Sequence, residues 1–268
     1  MGDTRAAARV FELGNAAGGE NGLVDWAELA LIPQALVPPV AVQAGDAASA
    51  LAAVRALAQN VATGASTGLV GAERAQIDER LARMTDFLSA QAASAQPVNG
   101  TRLGAVCVAL SQIGQVSAKE AVTPPDGGLR TRVGADRLDE YFSVSFGDAY
   151  TAALKASVRQ ASLELPSWCG IFALWALKSA GVACKSWHLG SGIAAILKPT
   201  TAPVAGDVAF LNGAGMHMCL VLETTPDELV SIDGNTDADG GPTGGEIGVK
   251  RRPISRVQAF YSQSDPVV

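Results

Sequence analysis

From Asp207 to Tyr261 the chain presents β signals one after another with no helix-length segment between them. "DVAFL", a "NGAG" turn, "MHMCLVLE", "ELVSID", "IGVKRR" and "RVQAFY" follow in order, rich in Val, Ile, Leu and aromatic residues and separated by short polar or glycine-containing turns. Such a run predicts antiparallel pairing, and helices come first in the chain, so the expected class is α+β.

The earlier part is alanine-rich and helical in pattern. "DAASALAAVRALAQNVAT" sets Leu51, Val54, Ala58 and Val61 on one face, and "GAERAQIDERLARMTDFLSA" repeats Ile77, Leu81, Met84 and Leu88 at helical spacing with charges elsewhere. Ahead of them, "LALIPQALVPPVAVQAGD" is broken by Pro33, Pro38 and Pro39 and reads as a helix end and a turn. Periodicity fades in "AQAASAQPVNGT", which places a boundary near Pro97 between a small helical domain at 1–97 and an α+β domain at 98–268. In the second domain a helix is expected at about 101–115, followed by a long irregular region up to residue 165 or so.

A net charge of −6 excludes a general nucleic-acid binder, which needs a basic face to displace counterions. The first residues lack a basic stretch followed by an apolar core, and no segment reaches membrane-spanning length. The expectation is a protein made in the cytoplasm without a signal peptide. Its four cysteines, at 107, 169, 184 and 219, have no close-paired spacing and suit reduced thiols.

"LPSWCGIFALW" puts Cys169 in the first turn of a helix expected to start near Ser167 or Trp168, run through Lys178 and stop at Gly181. Unpaired N–H groups and the positive end of the helix dipole stabilise a thiolate there. A nucleophile needs a base, and the chain has only two histidines. His217 opens the strand "MHMCLVLE"; His188 lies in the glycine-rich, loop-like "CKSWHLGSG", spaced from Cys184 as two metal ligands would be. His217 is the stronger candidate, because the following strand ends in "SIDGNTD" and offers Asp233 or Asn235, on one side of an extended segment, to orient its ring. The Gly170 backbone N–H, with that of Cys169, is the candidate oxyanion donor, and Trp168 is taken as a neighbouring substrate contact. Cys107 and Cys219 fall in apolar runs and read as inert core thiols, with Cys219 on the same strand face as His217.

These segments together resemble the CHAP amidase/peptidase family of the papain-like, NlpC-type cell-wall hydrolases. The resemblance rests on "SWCGIFALWALKSAGV", "VAGDVAFL", "GAGMHMCLVLE" and "SIDGNTD" in that order, preceded by "ALSQIGQ" and "DRLDEYF" and closed by "IGVKRRPISRVQAFY", over roughly residues 100–262. It implies Cys169 as nucleophile, His217 as general base, and Asp233 where a glutamate is usual, with Asn235 beyond it. It also implies an amide bond of peptidoglycan as substrate, no cofactor, and action in the cell wall or periplasm after export or lysis. A secreted toxin of this kind commonly travels through a secretion machine and has an immunity partner. Two rival readings are a papain-like deamidase or peptidase acting on a protein, and a catalytically silent binding module. A zinc amidase is disfavoured by the shortage of imidazoles.

Three further signals are weaker. "GGENGLVDWAEL", residues 18–29, matches the second half of a calcium loop, but the leading positions fall on Ala17 and Gly19, so a capped helix start is favoured. The insertion "SAKEAVTPPDGGLRTRVGA" reads as a surface loop that shapes a groove. The run "KRR" at 250–252 reads as a solvated strand end.

Overall fold

The structure is a computed structural model, and it describes residues 46–64, 72–98, 100–123, 127–187, 190–211, 216–237 and 244–264. The proline-broken segment at 29–45, the calcium-like loop at 18–29 and His188 lie outside the described residues. The fold is α+β, with six α-helices and antiparallel sheets among the described residues. By its contacts the chain divides into two compact units, the first ending at Gly100 and the second beginning at Thr101.

In the first unit α1 (Ala47–Gly64) and α2 (Ala72–Ala93) pack on each other. Asp46 caps α1, accepting from the Ser49 backbone N–H at 2.8 Å and the Ser49 hydroxyl at 2.9 Å, which satisfies one of the orphan donors of the first turn. The apolar stripes are buried: Leu51 and Val54 on α1, and Ile77, Leu81, Met84 and Leu88 on α2.

From Thr101 on, the second unit opens within α3 (Gly100–Leu110), which is shorter than its periodicity suggests because the chain turns at 111–114 and Gly114 takes a left-handed φ of 72°. The region expected to be irregular is instead built from short elements: β1 (Ser117–Val122), β2 (Thr131–Val133), α4 (Ala135–Phe146) and α5 (Ala152–Arg159). The insertion is therefore a small antiparallel hairpin, β1 on β2, with a register shift between Ser117 and Ala121. The three-residue β2 and the mixed polarity of β1 leave little pattern to read.

Helix α6 (Cys169–Ser179) is apolar on all sides and buried from Cys169 to Leu177, as a helix without a polar face must be. Gly181, at φ 89°, ends it in the left-handed conformation with its N–H on the Lys178 carbonyl. Tyr141 of α4 packs against Trp168, Phe172 and Trp175, and its hydroxyl donates to Gln112 at 2.7 Å. Thus "ALSQIGQ" and "DRLDEYF" meet as the support behind α6.

Six strands form the sheet: β3 (Lys198–Thr200), β4 (Val208–Leu211), β5 (His217–Thr224), β6 (Glu228–Thr236), β7 (Glu246–Pro253) and β8 (Val257–Ser262). Their order across the sheet is β3-β8-β4-β5-β6-β7, every pair antiparallel. Two glycines seat α6 on it. A Cβ at Gly234 of β6 would lie 2.6 Å from the Phe172 Cβ, and one at Gly170 would lie 3.2 Å from the Met218 sulfur of β5. On the other face Ala209, Leu211, Cys219, Val221 and Leu229 form a second apolar cluster against Ile254, Val257 and Phe260. The "GD" ahead of β4 also has a structural task. Asp207 is buried and paired with Arg102 of α3, and it accepts from the Val204 backbone at 3.0 Å and that of Gln263 at 3.3 Å.

Candidate active site

Cys169 is the first residue of α6, with Trp168 at the N-cap. Its backbone N–H and that of Gly170 belong to the first turn, where no helical carbonyl precedes them to accept. The thiol lies 3.7 Å from the Ser167 hydroxyl, and Cys169 as a residue is 6% exposed. His217, the first residue of β5, is 4% exposed. Its Nε2 is 2.7 Å from Asp233 Oδ2, on the neighbouring strand β6. With Nε2 so engaged, Nδ1 is left for the thiol; it is buried and has no hydrogen-bond partner of ordinary geometry among the described residues. Thiol–imidazole contacts are commonly loose until substrate arrives.

Electrostatics couples the three groups. Burial alone would push the Cys169 thiol up, but the neighbouring His217 imidazole outweighs it, with help from the Met218 backbone and Ser167, and holds the thiol below its usual value. Burial works against the His217 cation too, yet Asp233 and then Cys169 raise it to about 9. Asp233 is fully buried, and against that penalty His217 and Arg252 keep its carboxyl below the usual range. The two shifts favour the thiolate–imidazolium pair over the neutral pair, which would set a nucleophile beside a proton donor.

The remaining candidates are placed as follows. Asn235 is the one described non-glycine residue with positive φ, 55°, and it sits where the β6–β7 register shifts between Gly234 and Thr236. The strict alternation that would set Asp233 and Asn235 on one side is interrupted at this bulge, because the extra residue leaves the pleat. Gly170 keeps its place in the first turn, close against Met218 and 3.5 Å, by its would-be Cβ, from the Trp187 indole nitrogen. The expectation for Trp168 needs correction. Its side chain is completely buried against Tyr141 and Phe172, so it packs the core behind Cys169 and is not exposed to a substrate in this structure.

The other thiols differ from Cys169. Cys107 is buried without a nearby cation, which pushes it up to about 12, and Cys219 is likewise raised by burial and by the charge of Asp233. Cys184 is half-buried and raised by burial. All four are free. Among the described residues no three His, Cys, Asp or Glu side chains gather as a metal site, and no helix is long and apolar enough to cross a membrane.

Sequence reasoning missed three polar partners: Ser167, Ser231 and Arg252. The largest correction concerns the "KRR" run. Arg251 does lie at the surface, paired with Glu228 at 2.6 Å, but Arg252 turns inward onto Asp233 with only 11% of its side chain exposed. Neighbours on a strand face opposite sides of the sheet, so one residue of the run had to point in; the unpredicted register of β6 on β7 decides which.

Compared with known proteins, the chain matches no family model, no curated protein and no solved structure. The resemblance to the CHAP family therefore rests on the motifs alone.

Proposed function

We propose that the protein is a cysteine-dependent amidase or peptidase that cleaves an amide bond of peptidoglycan. One observation carries the chemistry: the Cys169 thiol at the helix N-terminus is coupled to His217, whose far nitrogen is held by buried Asp233. A silent binding module has no use for a thiol held low beside a raised imidazole. The substrate class comes from the motif resemblance, which spans the segments that carry all three residues.

In this reading the thiolate attacks the amide carbonyl, and a C–S bond forms as the carbonyl oxygen takes up charge. The first-turn N–H groups of Cys169 and Gly170 are the candidate donors to that oxygen. The tetrahedral species collapses, the C–N bond breaks and the His217 imidazolium gives its proton to the departing amine. Water then attacks the thioester with neutral His217 as base, releasing the carboxylate and restoring the thiolate–imidazolium pair.

The test is to incubate purified cell wall with the wild-type protein and with Cys169→Ala and to identify new chain ends by mass spectrometry. New paired amine and carboxylate ends with the wild type alone support the proposal and name the bond. An intact wall, with cleavage or deamidation of a protein substrate instead, moves the reading to the protein-directed enzyme.

A further inference from the structure

The carboxylate that holds His217 is itself gripped from behind. Arg252 of β7 donates through Nη2 to Asp233 Oδ2 at 2.6 Å and through Nη1 to Oδ1 at 3.2 Å. Ser231 bridges the pair: its hydroxyl donates to Oδ1 at 2.6 Å and accepts from Arg252 Nη1 at 2.9 Å. Both oxygens are engaged, so the carboxylate cannot rotate away from the imidazole without breaking a two-point, charge-assisted contact.

The charge count adds a second role. A Cys169 thiolate, a His217 imidazolium and an Asp233 carboxylate together carry a net charge of about −1 in a site whose His and Asp side chains are 6% and 0% exposed. An uncompensated buried charge is costly, and the usual relief is uptake of a proton, here by the thiolate. Arg252 brings the sum to zero. Among the described residues, the titratable groups that meet here are Cys169 from α6, His217 and Cys219 from β5, Asp233 from β6 and Arg252 from β7. Glu228 and Arg251 pair at the surface, and the Lys250 ammonium is bound to the Asp237 carbonyl.

We infer that Arg252 is a positioning residue of this site: its fork fixes Asp233 against His217, and its charge neutralises the buried assembly so that the Cys169 thiolate persists beside the imidazolium. The inference rests on the cysteine-nucleophile reading above and is tested without substrate. The rate of Cys169 alkylation by iodoacetamide is followed against pH, with the modified residue identified by mass spectrometry, in the full chain and in Arg252→Gln, Arg252→Lys and Arg251→Gln.

Arg252→Gln is expected to move the thiol titration upward by about one unit, which lowers the rate about tenfold on the acid limb. Arg252→Lys keeps the charge and loses the fork, and falls between it and the wild type. Arg251→Gln makes the same change in net charge at the surface and leaves the profile in place. An unmoved profile in Arg252→Gln overturns the inference, as does an equal shift in Arg251→Gln. Should Arg252→Gln not fold, an unmoved profile in Arg252→Lys overturns it equally. Failure to cut cell wall bears on the substrate proposal alone, because alkylation reads the thiol whatever the substrate is.

Discussion

Phe172 of α6 lies over Gly234 of β6 so closely that a methyl group on the glycine would sit 2.6 Å from the Phe172 Cβ. Gly234 separates Asp233, which binds His217, from Asn235, which turns the chain left-handed. The "DGN" motif thus joins three tasks in adjacent residues: holding the His217 ring, admitting a helix and bulging the strand. The positions of the Cys169 helix and of His217 are set by the same stretch of chain.

Gly234→Ala is therefore expected to destabilise the protein by about 1–3 kcal/mol, the usual cost of overpacking, since Cβ atoms of a helix residue cannot swing aside as a side-chain tip does. Urea unfolding checks it: the midpoint falls while the slope is kept. A midpoint equal to wild type contradicts the packing described here.

The pH dependence follows from His217. Its value is raised from 6.5 to about 9 with Asp233 as the leading favourable partner, so the imidazolium and the stabilisation it brings are fully present below about 6.5 and are lost as pH rises through about 9. Asp233→Asn removes the anion, and the alkaline limb of the rate profile is expected to drop toward the ordinary histidine range, with turnover reduced. A limb that stays near 9 in Asp233→Asn would assign the raised value to another group.

Arg102 and Asp207 make a prediction about stability alone. Asp207 has 1% of its side chain exposed and Arg102 16%, so Arg102→Met leaves a buried carboxylate without its cation. Breaking such a pair costs about 3–5 kcal/mol. Thermal unfolding is expected to show a large loss, with the alkylation profile of Cys169 in the folded protein unchanged. A shifted profile would tie this pair to the Cys169 thiol.

The sequence makes some of this architecture readable and hides the rest for physical reasons. Cys169 and His217 stand out because each opens a strongly patterned element, Asp233 because it interrupts the apolar run of β6, and α6 runs from its proline-preceded start to Ser179, just short of Gly181, as its apolar run suggests. Arg252 stays hidden because a run of three basic residues carries no periodicity, and only the pairing of Leu229 with Arg252 brings it beside β6. Trp168 is misread for a related reason: adjacency to a nucleophile in sequence says nothing of which side of the helix start a ring occupies. The strands β1, β2 and β3 are too short or too polar to announce themselves, and each gains its geometry from a partner strand.

The central claim is that Cys169, alone of the four thiols, is a nucleophile at neutral pH because His217 ionises it. Competitive labelling with substoichiometric iodoacetamide at pH 6, followed by peptide mapping, tests this on the intact protein and on His217→Ala. Label is expected on Cys169 ahead of the more exposed Cys184 in the wild type, and this preference is expected to collapse in His217→Ala. Label on Cys184 first, or a Cys169 preference that survives without His217, would contradict it.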